Sequence, residues 1–255
     1  MSEQILQCDV GGGVGRLTLN RPAQGNAIDI AMADALMEAA VRLAEDPTVK
    51  VVTLTGNGRL FCAGGDIAAF SAGEPGAVIA RITVSLHAAI NRLATMPKPL
   101  LCLVNGPAAG AGLGLAMLGD IVLAAASSHF TSAYTAIGVS PDAGTSWFLP
   151  RLIGLRRAQD MVLTNRRIGA EEAVAIGLVT RMVPDELLVG EGDRLAQSLA
   201  TGATGGFATA RCLLHRSYSA PLADHLEVEA AGIVAAARSQ DAKARFAAFS
   251  DKAPS

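Results

Sequence analysis

Aromatic residues are scarce in this chain of 255 residues, which has one Trp, two Tyr and seven Phe, or 4% in all. Apolar residues nonetheless make up 51% of the sequence. Alanine, glycine, valine and leucine must therefore fill the interior, and such small side chains favour closely packed layers of helices and strands. A chain of this length can bury one large core and still carry a small appendage.

The sequence also lacks a large excess of charge of either sign and cysteines in CxxC spacing. The net charge is −2 and the basic residues are dispersed, which excludes the positive field of a nucleic-acid-binding protein. Cys8, Cys62, Cys102 and Cys212 form no CxxC pair, so zinc and redox motifs are unsupported and free thiols in a reducing compartment are favoured. We expect a cytoplasmic protein that binds neither nucleic acid nor a metal.

Long apolar runs are lacking as well. No stretch of about 18 apolar residues is free of charge, and residues 100–126, which come closest, are interrupted by several glycines, Pro107 and Asp120. The first ten residues lack the basic and apolar regions of a signal peptide. We expect no membrane-spanning segment.

Hydrophobic periodicity predicts alternating strands and helices. Strands are predicted at residues 14–19, 49–54, 100–104 and 121–125, and helices at 30–43 and 77–95. This alternation indicates an α/β layered fold with a largely parallel sheet. Beyond about residue 155 the pattern is mostly helical, apart from a strand at 179–183, and the glycine-rich residues 201–206 predict a hinge before the last helices.

Two loops follow buried strands and present small residues at the start of a helix. The first is Ala63-Gly64-Gly65-Asp66 and the second spans residues 110–114. Helix N-termini carry unpaired N–H groups, and small residues let a substrate oxygen approach them. Two such groups on one oxygen would form an oxyanion hole. The alternative is that the glycines only permit tight packing. A dinucleotide site is disfavoured, since the third glycine of GxGxxG would fall at Leu115.

In their order and spacing, several motifs together resemble the crotonase (enoyl-CoA hydratase/isomerase) superfamily. They are Leu19-Asn20-Arg21-Pro22 with Asn26-Ala27, Phe61-Cys62-Ala63-Gly64-Gly65-Asp66, Pro97-Lys98-Pro99, Val104-Asn105-Gly106, residues 110–120 and Ala175-Ile176-Gly177-Leu178-Val179. The resemblance implies a spiral of ββα units over residues 1–198 and a C-terminal helical appendage at 199–255 that serves assembly into a homotrimer or hexamer. It also implies an acyl-CoA thioester substrate and no cofactor, since coenzyme A is part of that substrate.

The resemblance further implies site residues. The thioester carbonyl would accept hydrogen bonds from the backbone N–H groups of Gly65 and Ala111. Substrate-binding positions would be Ala63, Asp66, Tyr134 and Trp147.

The two glutamates of the family's hydratases are absent. Their positions are occupied by Gly114 and Tyr134, neither of which supplies a carboxylate for the addition of water. Asp142 lies instead where several isomerases of the family place a single acidic base. Alternatively, Asp142 is the N-cap of a helix that begins at about Gly144.

A second branch of the family, the dehalogenases of chlorobenzoyl-CoA, uses an aspartate at the position of Asp142 as nucleophile. The histidine base of that branch matches His87 by its spacing to Pro97-Lys98-Pro99. A lone histidine on the flank of a helix is otherwise a structural or solvated residue.

Three functions follow from these residues. The first is an isomerase that moves a double bond through an enolate, with Asp142 as base, because a carboxylate in an apolar pocket can accept and return a proton. The second is an aryl-CoA hydrolase in which Asp142 attacks and His87 activates water. The third is an acyl-CoA-binding protein without turnover.

Overall fold

The computed structural model describes residues 4–250. Within them the strands are β1 (Leu6–Gly11), β2 (Val14–Leu19), β3 (Val51–Gly56), β4 (Leu100–Val104), β5 (Ala108–Ala109), β6 (Ile121–Ala125), β7 (His129–Thr131), β8 (Ile168–Gly169) and β9 (Arg181–Val183). The helices are α1 (Ile30–Glu45), α2 (Ile67–Ser71), α3 (Pro75–Thr95), α4 (Ala111–Ala116), α5 (Thr145–Ile153), α6 (Leu155–Thr164), α7 (Ala170–Ala175), α8 (Leu188–Ala200), α9 (Thr204–Arg216), α10 (Leu222–Ala237) and α11 (Gln240–Ser250).

The larger sheet has the strand order β1-β2-β3-β4-β6-β9. All neighbours are parallel except β1 and β2, which form an antiparallel hairpin. Every residue of β4 is buried, as expected for a parallel strand covered on both faces. The predicted strands at 14–19, 100–104 and 121–125 are confirmed, and the one predicted at 49–54 lies two residues further along the chain.

A second, smaller sheet lies beside the larger one, and the chain alternates between the two sheets as it forms the predicted spiral. The smaller sheet contains β5, β7 and β8, and isolated bridges join Ile28 to Gly65 and Cys62 to Ala108 beside it. Strands β3, β4 and β6 of the larger sheet are each followed by a short contact in the smaller sheet and then by a helix. The predicted spiral of ββα units is therefore confirmed, and each of its turns brings a helix start to the same region.

Helices α1 and α3 pack against each other and share one buried cluster with β2, β3 and β4, and side chains fix the ends of α1. The Asp29 carboxylate accepts a hydrogen bond from Met32 N–H at 2.8 Å and caps α1. At the other end, the buried Lys98 ammonium donates to the carbonyls of Leu43 and Asp46, both at 2.6 Å. The motif Pro97-Lys98-Pro99 thus ties the loop after α3 to the C-terminus of α1.

The predicted end of the core, residue 198, falls in the last turn of α8. Leu188, Gly192 and Ala196 form the buried face of this helix, which packs against β3, β4 and β6. The three residues between α8 and α9 fall in the predicted hinge at 201–206, whose last three residues instead open α9. The division of the chain at residue 198 stays a prediction.

Helix α9 is anchored to the core by one buried arginine. Arg211 Nε lies 2.6 Å from Asp120 Oδ2, and its remaining nitrogens donate to the carbonyls of Leu93 and Met96. Beyond this anchor, α10 leaves Leu222 and Ile233 largely exposed. Their role in assembly stays a prediction. No helix within residues 4–250 is both long and apolar enough to cross a bilayer.

Candidate active site

A cavity of about 480 Å³ opens beside the two glycine-rich loops. Its walls are formed by those loops, one side of α3, and the segment that precedes α5. The lining residues are Ile28, Ala63, Gly64, Gly65, Ile67, Phe70, Ile79, Ile82, Thr83, Leu86, Gly110, Ala111, Ala133, Tyr134, Ile137, Val139, Ser140, Pro141 and Asp142. Five of the residues predicted from sequence therefore share one cavity: Ala63, Gly65, Ala111, Tyr134 and Asp142.

The first loop leaves the N–H of Gly65 free. Gly64 has a φ of +103°, a backbone conformation that residues with a side chain rarely adopt. Its carbonyl accepts a hydrogen bond from Ile28 N–H at 2.7 Å. Asp66 N–H in turn donates to the Ile28 carbonyl at 3.0 Å. Between these two bonds, Gly65 N–H has no acceptor among residues 4–250.

The second loop offers a matching donor. Ala111 is the first residue of α4, where an N–H group has no partner within the helix, and none of the other described residues accepts from it. The loops touch, because a Cβ placed on Gly64 would lie 3.4 Å from the Cα of Gly110. Ala109 N–H also donates to the Cys62 carbonyl at 3.0 Å. Two unpaired donors on one cavity suit a developing negative charge on oxygen.

Asp142 lies in a constrained loop before α5, the carboxylate loop (residues 138–144). Ala143 is fully buried and has a φ of +52°, and Gly144 follows with a φ of +76°. The Asp142 carbonyl accepts hydrogen bonds from Thr145 N–H and from the Tyr134 hydroxyl, both at 3.0 Å. The backbone around the carboxylate is therefore held from both sides.

The carboxylate of Asp142 does not cap α5. The N-cap is Gly144, with no side-chain hydrogen bond, so the capping alternative is wrong. Asp142 Oδ1 lies instead 2.6 Å from His87 Nε2 on α3. The side chain of His87 is 54% exposed and that of Asp142 is 31% exposed, so the pair joins the cavity to solvent.

Gly114 is closed to any side chain by the carboxylate loop. A Cβ at this position would lie 2.4 Å from the Ala143 carbonyl oxygen and 2.8 Å from the Ala143 Cβ. The first glutamate position of the hydratases is thus occupied here by the backbone that carries Asp142.

This contact predicts the effect of adding one methyl group. Gly114→Ala should lower the free energy of unfolding by about 1–3 kcal/mol, because the methyl overlaps backbone that has little room to move. Urea unfolding followed by circular dichroism measures the change. Gly190→Ala is the matched control, since a Cβ at this exposed helical position meets nothing within 4 Å. The control should stabilise the protein by about 0.5–1 kcal/mol. Equal effects at the two sites would contradict the packing described here.

Asp66 does not line the cavity, contrary to its predicted substrate-binding role. Its carboxylate caps α2 by accepting from Ala69 N–H at 3.1 Å, and it pairs with Arg21 at 3.0 Å. Burial alone would raise the pKa of Asp66, but these hydrogen bonds and the Arg21 charge outweigh it and hold the pKa below its usual value. The side chain is committed to fixing the loop that presents Gly65.

Trp147 also lies outside this cavity. Its indole is 43% exposed and lines a second cavity of about 490 Å³ between α5 and α9. The Arg151 guanidinium lies 4.0 Å from the centroid of the indole ring. The rings of Trp147 and Tyr218 pack edge to face, with their centroids 6.5 Å apart. The helix turns this side chain away from the carboxylate loop, so Trp147 supplies no apolar surroundings for Asp142.

Sequence reasoning missed the α3 wall of the cavity. Ile79, Ile82 and Leu86 belong to the apolar stripe that predicted the helix, and the structure shows that these members also line the cavity. Phe70 was missed as well, and its ring lies against Gly65. A stripe pattern alone does not say which of its members face a ligand.

Comparison with known proteins identifies the family. Residues 9–255 match the family described as enoyl-CoA hydratase/isomerase. The 1,2-epoxyphenylacetyl-CoA isomerase of Escherichia coli is 37% identical, with 98% of this chain and 96% of the relative covered. A 4-chlorobenzoyl coenzyme A dehalogenase of an Arthrobacter species is 31% identical, with 98% and 92% covered. A crystal structure of an enoyl-CoA hydratase from a Polaromonas species is 31% identical, superposes with a TM-score of 0.92 and covers 97% of each chain. The chain belongs to the enoyl-CoA hydratase/isomerase, or crotonase, family.

Proposed function

We propose that this protein is an acyl-CoA isomerase that shifts a double bond through an enolate. The observation that carries the proposal is the shared cavity, which holds two unpaired backbone donors and one carboxylate. The N–H groups of Gly65 and Ala111 would hold the thioester oxygen as it gains negative charge. Asp142 would take a proton from one carbon and return it to another, so that the double bond moves and nothing is added or lost.

The single carboxylate supports isomerisation over hydration. Asp142 is the one charged residue among those that line the cavity. One carboxylate can carry a proton between two carbons of the same substrate. Adding water in the manner of the family's hydratases uses two glutamates, and the contact of Gly114 with Ala143 excludes one of them here.

The same lining indicates the chemical class of the acyl group. Apolar side chains of Ile28, Ile67, Ile79 and Ile82 surround the cavity, and no cationic side chain lies among the lining residues. A second carboxylate on the acyl chain would be left there without a partner, which is costly in an apolar pocket. We therefore propose uncharged, unsaturated acyl groups as substrates.

A product assay tests this proposal. Enoyl-CoA thioesters with the double bond one position away from conjugation would be incubated with the enzyme, and products would be analysed by chromatography and mass spectrometry. In H₂O the expected product is the conjugated isomer of unchanged mass. In D₂O it gains at most one deuterium, to the extent that the proton held on Asp142 exchanges with solvent before it is returned. A product heavier by one water would contradict the proposal, as would binding of the thioester without turnover.

The contact between His87 and Asp142 favours a second candidate, an aryl-CoA hydrolase. In that reaction Asp142 would attack the ring carbon that bears a halide, the halide would leave, and His87 would activate a water that cleaves the ester. The 2.6 Å separation supports this candidate, since His87 would act as a base directly beside the nucleophile. Release of halide from halobenzoyl-CoA would identify this activity.

Substitution of His87 distinguishes the two reactions. In an isomerase, His87→Gln should change kcat by less than about tenfold, since glutamine can still donate to Asp142 and the histidine carries no proton of the reaction. In a hydrolase, the variant should stall as a covalent ester on Asp142, visible by intact-protein mass spectrometry. His215→Gln is the matched control, because His215 lines the second cavity near Asp120. An ester that accumulates only in the His87 variant would rule out the isomerase.

A further inference from the structure

The carboxylate loop adopts a backbone conformation that it would not keep without support. Ala143 has a φ of +52° although it is not glycine. Ala133, the residue directly before Tyr134, has a φ of +60°. Such conformations cost about 1–3 kcal/mol each and persist only where the surroundings hold them. The position of Asp142 therefore depends on the contacts that its neighbours make.

One of those contacts comes from the side chain of Tyr134, which lines the same cavity. The Tyr134 hydroxyl donates to the Asp142 carbonyl at 3.0 Å, and Thr145 N–H donates to the same oxygen. A carbonyl oxygen has two lone pairs, so both are used. Thr145 belongs to the helix that follows, whereas Tyr134 reaches the carbonyl from the segment on the other side of the loop.

We infer that Tyr134 is a positioning residue that sets the direction of the Asp142 carboxylate toward the substrate carbon. The inference rests on the function proposed above. The phenol ring is buried, with 9% of the residue exposed, so its hydroxyl is held firmly against the loop. A displacement of about 1 Å at a reacting group can cost about 10²-fold in rate. A loop that loses one of the two hydrogen bonds to the Asp142 carbonyl can move by that much.

The hydroxyl also has no proton left to donate to the substrate. It has one proton to donate, and that proton already lies on the Asp142 carbonyl. Burial raises the pKa of Tyr134 well above its ordinary value, so the phenol remains a donor throughout the neutral range. The ring can line the acyl pocket, as the sequence predicted, while its hydroxyl acts on the base.

Replacement by phenylalanine isolates this role. Tyr134→Phe keeps the ring and its packing, and the Asp142 carbonyl keeps its bond from Thr145, so the fold should survive. We expect kcat for the isomerisation to fall about 10- to 100-fold while KM changes by less than about twofold. Tyr218→Phe is the matched control, because it is the other of the chain's two tyrosines and is largely exposed in the second cavity. An unchanged kcat, or a rise in KM alone, would overturn the positioning role.

A double variant separates this inference from the function on which it rests. If Tyr134 acts through the carboxylate, adding Tyr134→Phe to Asp142→Asn should lower the residual rate by less than about threefold, since residues of one catalytic unit are not additive. Additive losses would overturn the positioning role even with the isomerase intact. If Asp142→Asn alone turns over at the wild-type rate, the proposed function fails first, and the role of Tyr134 fails with it.

Discussion

Asp142→Asn should lower kcat for isomerisation by about 10²- to 10⁴-fold, the contribution of a positioned acid–base group, and leave binding of the acyl-CoA nearly unchanged. Asparagine has the shape of aspartate and keeps one oxygen for His87, but it cannot accept a proton from carbon. The carboxylate makes no bond to the start of α5, and its contact with His87 is partly exposed to solvent, so loss of its charge should change the stability of the protein little. Stopped-assay kinetics and calorimetric titration with a substrate analogue measure the two effects.

Asp46→Asn is the control for this substitution. The Asp46 carboxylate accepts a hydrogen bond from Thr48 N–H at 2.8 Å and does not line the cavity, and asparagine can keep that bond through its amide oxygen. Its kcat should match the wild type. Near-normal turnover by Asp142→Asn, with any substrate that the wild-type protein isomerises, would show that Asp142 is not the base.

Ala111→Pro should lower kcat by about 10²- to 10³-fold, which corresponds to about 2.7–4 kcal/mol for the loss of one oxyanion donor. Proline removes the N–H that faces the cavity, and proline is well tolerated at the first position of a helix, which is where Ala111 lies. The equivalent change at Gly65 is less informative, since a Cβ there would lie 2.4 Å from the Phe70 ring. The fold would then be disturbed along with the donor.

Ala170→Pro supplies the comparison for this change. Ala170 is the first residue of α7 and lies outside the cavity, so the same loss of an N–H should leave kcat unchanged. Thermal unfolding of both variants checks that the helix starts tolerate proline. If Ala111→Pro is folded and as active as the wild type, the second donor of the oxyanion hole is not at this position.

The sequence predicted the parts of the fold in which a pattern repeats often enough to be read. The five apolar residues of β4 indicate a strand covered on both faces, and the stripe on α3 indicates a helix that packs on the core. The smaller sheet could not be predicted in this way. Its strands have two or three residues. Alternation of apolar and polar residues can be recognised only over about four or more residues, so these strands leave no pattern.

The site was predictable in its backbone and less so in its side chains. The small residues around Gly65 and Ala111 indicated free N–H groups because helix starts always carry them. Asp66 was predicted to contact substrate, but its direction depends on Arg21, a residue 45 positions earlier. His87 and Asp142 are 55 positions apart, and family resemblance, rather than any local pattern, suggested that they act together.

The contact of Gly114 with Ala143 has a consequence for how this site can change over evolutionary time. A glutamate at position 114 and the present course of the carboxylate loop exclude each other, since even one added carbon would overlap the loop backbone. A side chain at position 114 is costly while the loop keeps its present course, so the effect of a change at 114 depends on the course of the loop, and the mutational path between the two site designs is epistatic. A path to a glutamate at position 114 is therefore expected to move the carboxylate loop first, while glycine still leaves room for it.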